Sequence, residues 1–127
     1  MQNNYTPGKH LLLDLYQARN LSDISSVEQA LMEAASACDA IVLQKNFHSF
    51  GEEQGITGML LLSESHISIH TWPESHFAAV DIFMCGNCDP NLALAPIKKH
   101  FCPERVDVRE FDRGTLLKKP LQIDGSI

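Results

Sequence analysis

Between Ala40 and Cys85 the chain carries four strand-like runs and no helical periodicity. They are Ala40 to Phe47, Ile56 to Leu62, His66 to Trp72, and Phe77 to Cys85. A glycine-bounded loop, Gly51-Glu52-Glu53-Gln54-Gly55, separates the first two, and Pro73 with Glu74-Ser75-His76 breaks the chain between the last two. Parallel neighbours need a crossover of a dozen or more residues, and no such connection is available here. Strands that follow one another this closely pair antiparallel.

The flanks complete the pattern. Lys9 to Tyr16, with Leu11, Leu12, Leu13 and Leu15, reads as a first strand, preceded by a loose arm over residues 1–7. Val27, Leu31, Ala34, Ala35 and Cys38 recur at helical spacing, and Ser25 with Glu28 has the form of a capping box, so a helix is expected from Ser25 to about Asp39. Asp89-Pro90 is a second helix start, running toward Phe101. Pro96 lies inside that span and would cost about 3 kcal/mol in a regular helix interior, which predicts a kink or a shortened first segment. Arg105 to Phe111 alternates and reads as a last strand, with a tail from Asp112. Ile56 to Leu62 is the most apolar run and is expected at the centre of the sheet.

The order β-α-β-β-β-β-α-β predicts an α+β fold over residues 1–127 as one domain. It is a two-layer α/β sandwich, an antiparallel sheet with two helices on one face. The other sheet face then needs a partner, which suggests a dimer. Net charge is −6 with no basic run, which argues against a nucleic-acid role. No apolar stretch approaches the roughly 20 residues of a membrane span. The first residues, Met1-Gln2-Asn3-Asn4-Tyr5, lack a charged-then-apolar signal pattern, so a cytoplasmic location is expected. The four cysteines, Cys38, Cys85, Cys88 and Cys102, are then thiols rather than bridges.

Chemistry concentrates in Ser63 to Glu74. Ile67 and Ile69 fall on one face of the strand; His66, Ser68, His70 and Trp72 fall on the other. Ser65 follows the carbonyl of Glu64. A serine hydroxyl can attack that carbonyl and turn the amide into an ester. Elimination from the ester splits the chain and leaves dehydroalanine, which hydrolyses to a pyruvoyl group. His70 and Ser68 are candidate proton shuttles. Alternation sets Ser65 and His70 on opposite faces, so a bend or bulge near Glu64–His66 is required for them to meet.

Glu64-Ser65-His66-x-Ser68-x-His70-Thr71-Trp72-Pro73-Glu74 resembles the self-processing motif of bacterial and archaeal S-adenosylmethionine decarboxylases, which are pyruvoyl enzymes of polyamine (spermidine) synthesis. The likeness extends through Phe77 to Gly86 and back to Gly8-Lys9-His10. It implies cleavage between residues 64 and 65, a covalent pyruvoyl cofactor generated from Ser65, and a Schiff base to S-adenosylmethionine. It implies processing roles for Glu64, Ser65, Ser68, His70 and Thr57, and catalytic roles for Ser65, His70 and Cys85, the thiol returning a proton to the substrate carbon. Phe50, Trp72 and Glu74 are implied as substrate-binding residues: aromatics for the adenine or the sulfonium, a carboxylate for the ribose hydroxyls. Members of the family pair, with active sites at the subunit interface, so a homodimer of processed protomers is expected. Two further readings stand beside this one. Glu52 and Glu53 would suit the distal cation of arginine or ornithine, decarboxylated by the same chemistry. His66, His70, Cys85 and Cys88 would suit a small non-enzymatic metal module; no metal is implied by the resemblance.

Overall fold

A computed structural model of the protein describes residues 7–117. Six strands and two α-helices follow in the order β1 (Gly8–Tyr16), α1 (Ile24–Ala37), β2 (Val42–Ser49), β3 (Ile56–Leu62), β4 (Ser65–Trp72), β5 (Phe77–Cys85), α2 (Leu94–Phe101) and β6 (Arg105–Arg113). All pair antiparallel in one sheet of order β2-β3-β4-β5-β1-β6. The centre is therefore β4 and β5. β3 is interior but second from the edge, where the apolar run alone had suggested the middle. The last strand reaches Arg113, two residues past Phe111. Most of the expected N-terminal arm and most of the expected tail lie outside the described residues.

The alternation of β1, β3, β4 and β5 sends Leu11, Leu13, Leu15, Leu60, Leu62, Ile67, Ile69, Val80 and Ile82 to one face, all essentially without solvent contact. Against them pack Val27, Leu31 and Ala34 of α1 and Ile97 and Phe101 of α2. Full burial of one such Leu, Ile or Phe contributes roughly 1.5–3 kcal/mol, so this single core carries the fold. Two helices on one face of an antiparallel sheet is the predicted α+β sandwich.

Both helix starts differ in detail from the sequence reading. Asp23, not Ser25, caps α1: its carboxylate accepts from Ser25 N at 3.2 Å and from the Ser26 hydroxyl at 2.8 Å. A backbone amide and a hydroxyl thus engage the earlier carboxylate, which starts the helix before the Ser25–Glu28 pair can act as a box. Asp89 caps a short 3-10 turn, Pro90–Ala93, by accepting from Asn91 N at 3.0 Å. The α-helix then begins at Leu94, so Pro96 sits in its first turn, where its missing N–H has no intrahelical partner to lose.

Among the described residues no helix covers the opposite face of the sheet. Met59, Leu61 and Trp72 are each 42% exposed and Phe111 is 49% exposed. By strand alternation all four stand on this open face, together with His10, His66, Ser68, His70, Asp81 and Phe83. Among the described residues no helix is long and apolar enough to cross a membrane.

Candidate active site

Leu62 pairs with Ser65, so Ser63 and Glu64 alone turn the chain from β3 into β4. Glu64 sits at φ +64°, the left-handed region that tight turns ordinarily give to glycine. Holding a non-glycine residue there costs on the order of 1–2 kcal/mol, and the strain falls on the residue that supplies the carbonyl before Ser65. Ser65 is one of two buried polar residues among the described residues, 8% exposed. Its Oγ accepts from Cys85 N at 3.2 Å and lies 3.7 Å from Cys85 Sγ. The thiol in turn lies 3.6 Å from Glu64 Oε1. Hydroxyl, thiol and carboxylate thus form a chain of contacts around one strained peptide at the rim of the sheet.

A cleft of about 430 Å³ opens beside this cluster on the open face, lined by Leu61, Leu62, Glu64, Ser65, His66, His10, Phe83 and Arg113. The Phe83 ring stacks on His66 with centroids 5.7 Å apart and meets His10 edge-on at 5.7 Å. It lies over Gly8: a Cβ at that position would stand 2.3 Å from the ring. Gly8 is therefore what lets the ring reach across β1. Burial pushes the His10 pKa down; Asp81, 4.0 Å from Nε2, opposes this, and His66 and Arg113 reinforce it. In the sequence His10 stands out only as part of the family resemblance, and nothing there marks Phe83 or Arg113 as site residues. They stand on three strands far apart in the chain, and only the β1–β5 and β1–β6 registers bring them together.

His70 is elsewhere. It is on the open face, five positions along β4 from Ser65, a separation of about 16 Å at strand rise. The β3–β4 pairing is continuous from Thr57–His70 to Leu62–Ser65, so the bend or bulge that would unite the two within a chain does not form. Thr57 Oγ1 lies 3.1 Å from His70 Nδ1, and His70 leans on Trp72 with centroids 6.2 Å apart. Ser68, the other candidate to orient His70, stands instead between Met59 and Asp81. Thr57 and Trp72 share the His70 end of the sheet. Phe50 follows β2 there, packed edge-on to His48 at 4.6 Å, and Glu74 follows β4 in an exposed 3-10 turn, Pro73–Ser75. The residues singled out by sequence thus gather at two ends: Glu64, Ser65 and Cys85 at one, Thr57, His70, Phe50, Trp72 and Glu74 at the other.

Thr71 has a role that the motif did not reveal. It is buried, donates from Oγ1 to Leu21 O at 2.7 Å, and accepts from Ile56 N at 2.9 Å. It ties the start of β3 and the loop after β1 to the end of β4, fixing the strands that carry Thr57 and His70. Glu52 and Glu53 are solvated on an exposed turn. The set His66, His70, Cys85 and Cys88 is not assembled, and among the described residues no three His, Cys, Asp or Glu side chains converge on a metal-sized site. Cys38 is buried in the core, and burial raises its thiol pKa to about 11.

The family model described as S-adenosylmethionine decarboxylase matches residues 9–114. The S-adenosylmethionine decarboxylase proenzyme of Methanococcus maripaludis is 43% identical over 112 residues, covering 86% of this chain and 91% of its own. The proenzyme of the same name from Thermomicrobium roseum is 35% identical over 111 residues, covering 87% and 96%. That from Parasynechococcus marenigrum is 41% identical over 127 residues, covering 93% and 98%. The crystal structure of the adenosylmethionine decarboxylase from Aquifex aeolicus superposes with a TM-score of 0.80 at 31% identity, over 93% of this chain and 99% of that one.

Proposed function

Because the chain belongs to the S-adenosylmethionine decarboxylase family, we propose that it is a self-processing carboxy-lyase that removes the α-carboxyl group of S-adenosylmethionine for polyamine synthesis. The observation that carries this reading is the cluster at the β3–β4 turn: a buried serine, a strained residue before it, and a thiol against both. Ser65 Oγ attacks the Glu64 carbonyl carbon, the C–N bond breaks, and an ester joins the two residues. Loss of the Ser65 Cα proton and cleavage of Cβ–Oγ release Glu64 as a carboxylate. Water then displaces ammonia to leave a pyruvoyl group at the head of residues 65–127. The residues fit such a group: the position is dry, and Cys85 N already donates to the atom that departs. A pyruvoyl group held here by residue 65 would supply an electron sink for the pair released when carbon dioxide leaves.

The Cys85 thiol lies 3.7 Å from Ser65 Oγ, beside the residue to which a substrate would be joined. It is the group suited to return a proton there. His70 and Thr57 form a hydrogen-bonded pair suited to move a proton, yet about 16 Å of strand separates them from the Ser65 of their own chain. A second copy resolves this. Two open faces packed about a two-fold axis, strands running oppositely, set the Thr57–His70 end of one protomer against the Ser65 end of the other. The same packing covers Met59, Leu61, Trp72 and Phe111 and delivers Phe50, Trp72 and Glu74 to the partner's cleft. The active form is therefore a homodimer with two shared sites. All four cysteines are free thiols, which suits a cytoplasmic setting.

Release of carbon dioxide from carboxyl-labelled S-adenosylmethionine, ornithine and arginine tests the substrate. Turnover of the first alone supports the reading; turnover of either basic amino acid in preference overturns it.

A further inference from the structure

Self-cleavage creates a group that the unprocessed chain lacks. When Cβ–Oγ of Ser65 breaks, Glu64 becomes a chain end and carries two carboxylates on a turn of two residues, now severed on one side. The electron pair of the broken bond goes to the departing carboxylate, so that group gains a full negative charge as it leaves. Something beside Glu64 must meet that charge, or elimination is opposed and the severed turn is repelled from the thiol and carboxylate already there.

The cleft next to Glu64 carries the needed chemistry. Arg113 lines it and brings a cationic guanidinium. Among the described residues no carboxylate lies within ion-pair distance of Arg113. His10 lines the same cleft. Its Nε2 is buried and, among the described residues, has no hydrogen-bond partner. A buried ring nitrogen without a partner is the exception in folded chains; Asp81 Oδ2, 4.0 Å away, lies beyond hydrogen-bond reach, and with the proton on Nε2 the ring can donate to a carboxylate held closer. The ring itself is fixed by Phe83 and His66, and Phe83 by Gly8.

Resting on the self-processing reading, we infer that His10 and Arg113 form the receiving site for the carboxylate that Glu64 becomes, drawing it off during elimination and holding the cut turn afterwards. A carboxylate could also come from the substrate. That source is disfavoured by the reaction: the α-carboxylate becomes neutral carbon dioxide, so an ion pair to it would stabilise the ground state and be lost in the transition state. A carboxylate that persists through every turnover suits a fixed guanidinium.

The test follows purified, newly made chains by mass spectrometry and by amide hydrogen exchange. Arg113→Gln removes the charge from an edge strand, and His10→Phe removes the donor while keeping an aromatic ring against Phe83. The expected result is a cleavage rate lowered about 100-fold or more in each, in the range that loss of one electrostatic donor produces, with Arg113→Lys retaining most of it. After cleavage, exchange at residues 60–64 should be faster in Arg113→Gln than in the parent, whereas in an uncleavable Ser65→Ala background the two should match. Equal loosening in the Ser65→Ala background would show a structural role only and overturn the inference. So would normal cleavage with a raised KM for S-adenosylmethionine and unchanged affinity for the decarboxylated product, which would assign the site to the substrate. A wild-type chain that splits while both variants behave identically overturns this inference alone; a wild-type chain that never splits overturns the self-processing reading with it.

Discussion

Ser65 and Cys85 are twenty positions apart in sequence and meet at the rim of the sheet, with Cys85 N donating to Ser65 Oγ at 3.2 Å and the two side chains 3.7 Å apart. The backbone amide holds the serine, so the thiol itself is free for a different task. Cys85→Ala should therefore leave cleavage between residues 64 and 65 largely intact while lowering turnover by about 100-fold or more, the range for loss of a positioned acid. Fragment masses and carbon dioxide release, measured on one preparation, separate the two effects.

The distance between Ser65 and His70 makes a sharper prediction about the proposed homodimer. Ser65→Ala and His70→Ala should each be inactive alone. Co-expressed, they form mixed dimers in which one site has an intact Ser65 from one chain and an intact His70 from the other. Random pairing should then restore roughly a quarter of wild-type activity. No recovery in mixed dimers isolated with two different tags would place both residues' roles within one chain.

Thr71 should matter for stability more than for chemistry. Thr71→Val keeps the shape and removes the hydroxyl that bridges Leu21 O and Ile56 N. Leaving buried backbone groups unpaired should cost about 2 kcal/mol in urea unfolding, with Thr71→Ser recovering part of it.

Cys38 provides a pH-dependent check on the core. Burial holds its thiol protonated until about pH 11, and the thiolate is the nucleophile. At pH 8 iodoacetamide should modify exposed Cys102 and leave Cys38 untouched. Cys38 should react at that pH only when the chain is unfolded, as peptide mapping of alkylated protein will read.

Much of this architecture is legible in the residues. Alternation in β4 separates Ile67 and Ile69 from His66 and His70, and the lack of an α-helix between Ala40 and Cys85 makes the strands of that stretch pair antiparallel. The opposition of Ser65 and His70 was legible too, and the strand keeps it; the expected bulge does not form because a two-residue turn at Ser63-Glu64 leaves the register whole. The cleft was not legible. His10, Phe83 and Arg113 come from β1, β5 and β6, and which residues of distant strands stand side by side depends on a register that no local pattern fixes. The cap of α1 lies two residues before Ser25 because Asp23 and Ser25 are both competent caps, and the bonds from the Ser25 amide and the Ser26 hydroxyl to Asp23 decide between them.

Everything turns on the peptide bond between Glu64 and Ser65. Intact mass measurement of the purified protein, beside its Ser65→Ala variant, tests it directly. The account predicts two chains for the wild type, residues 1–64 ending in a free carboxylate and residues 65–127 lacking the α-amino nitrogen of Ser65 and reacting with carbonyl reagents, against one uncut chain for the variant. A wild type that stays whole after long incubation, or a variant that splits at the same bond, would contradict it.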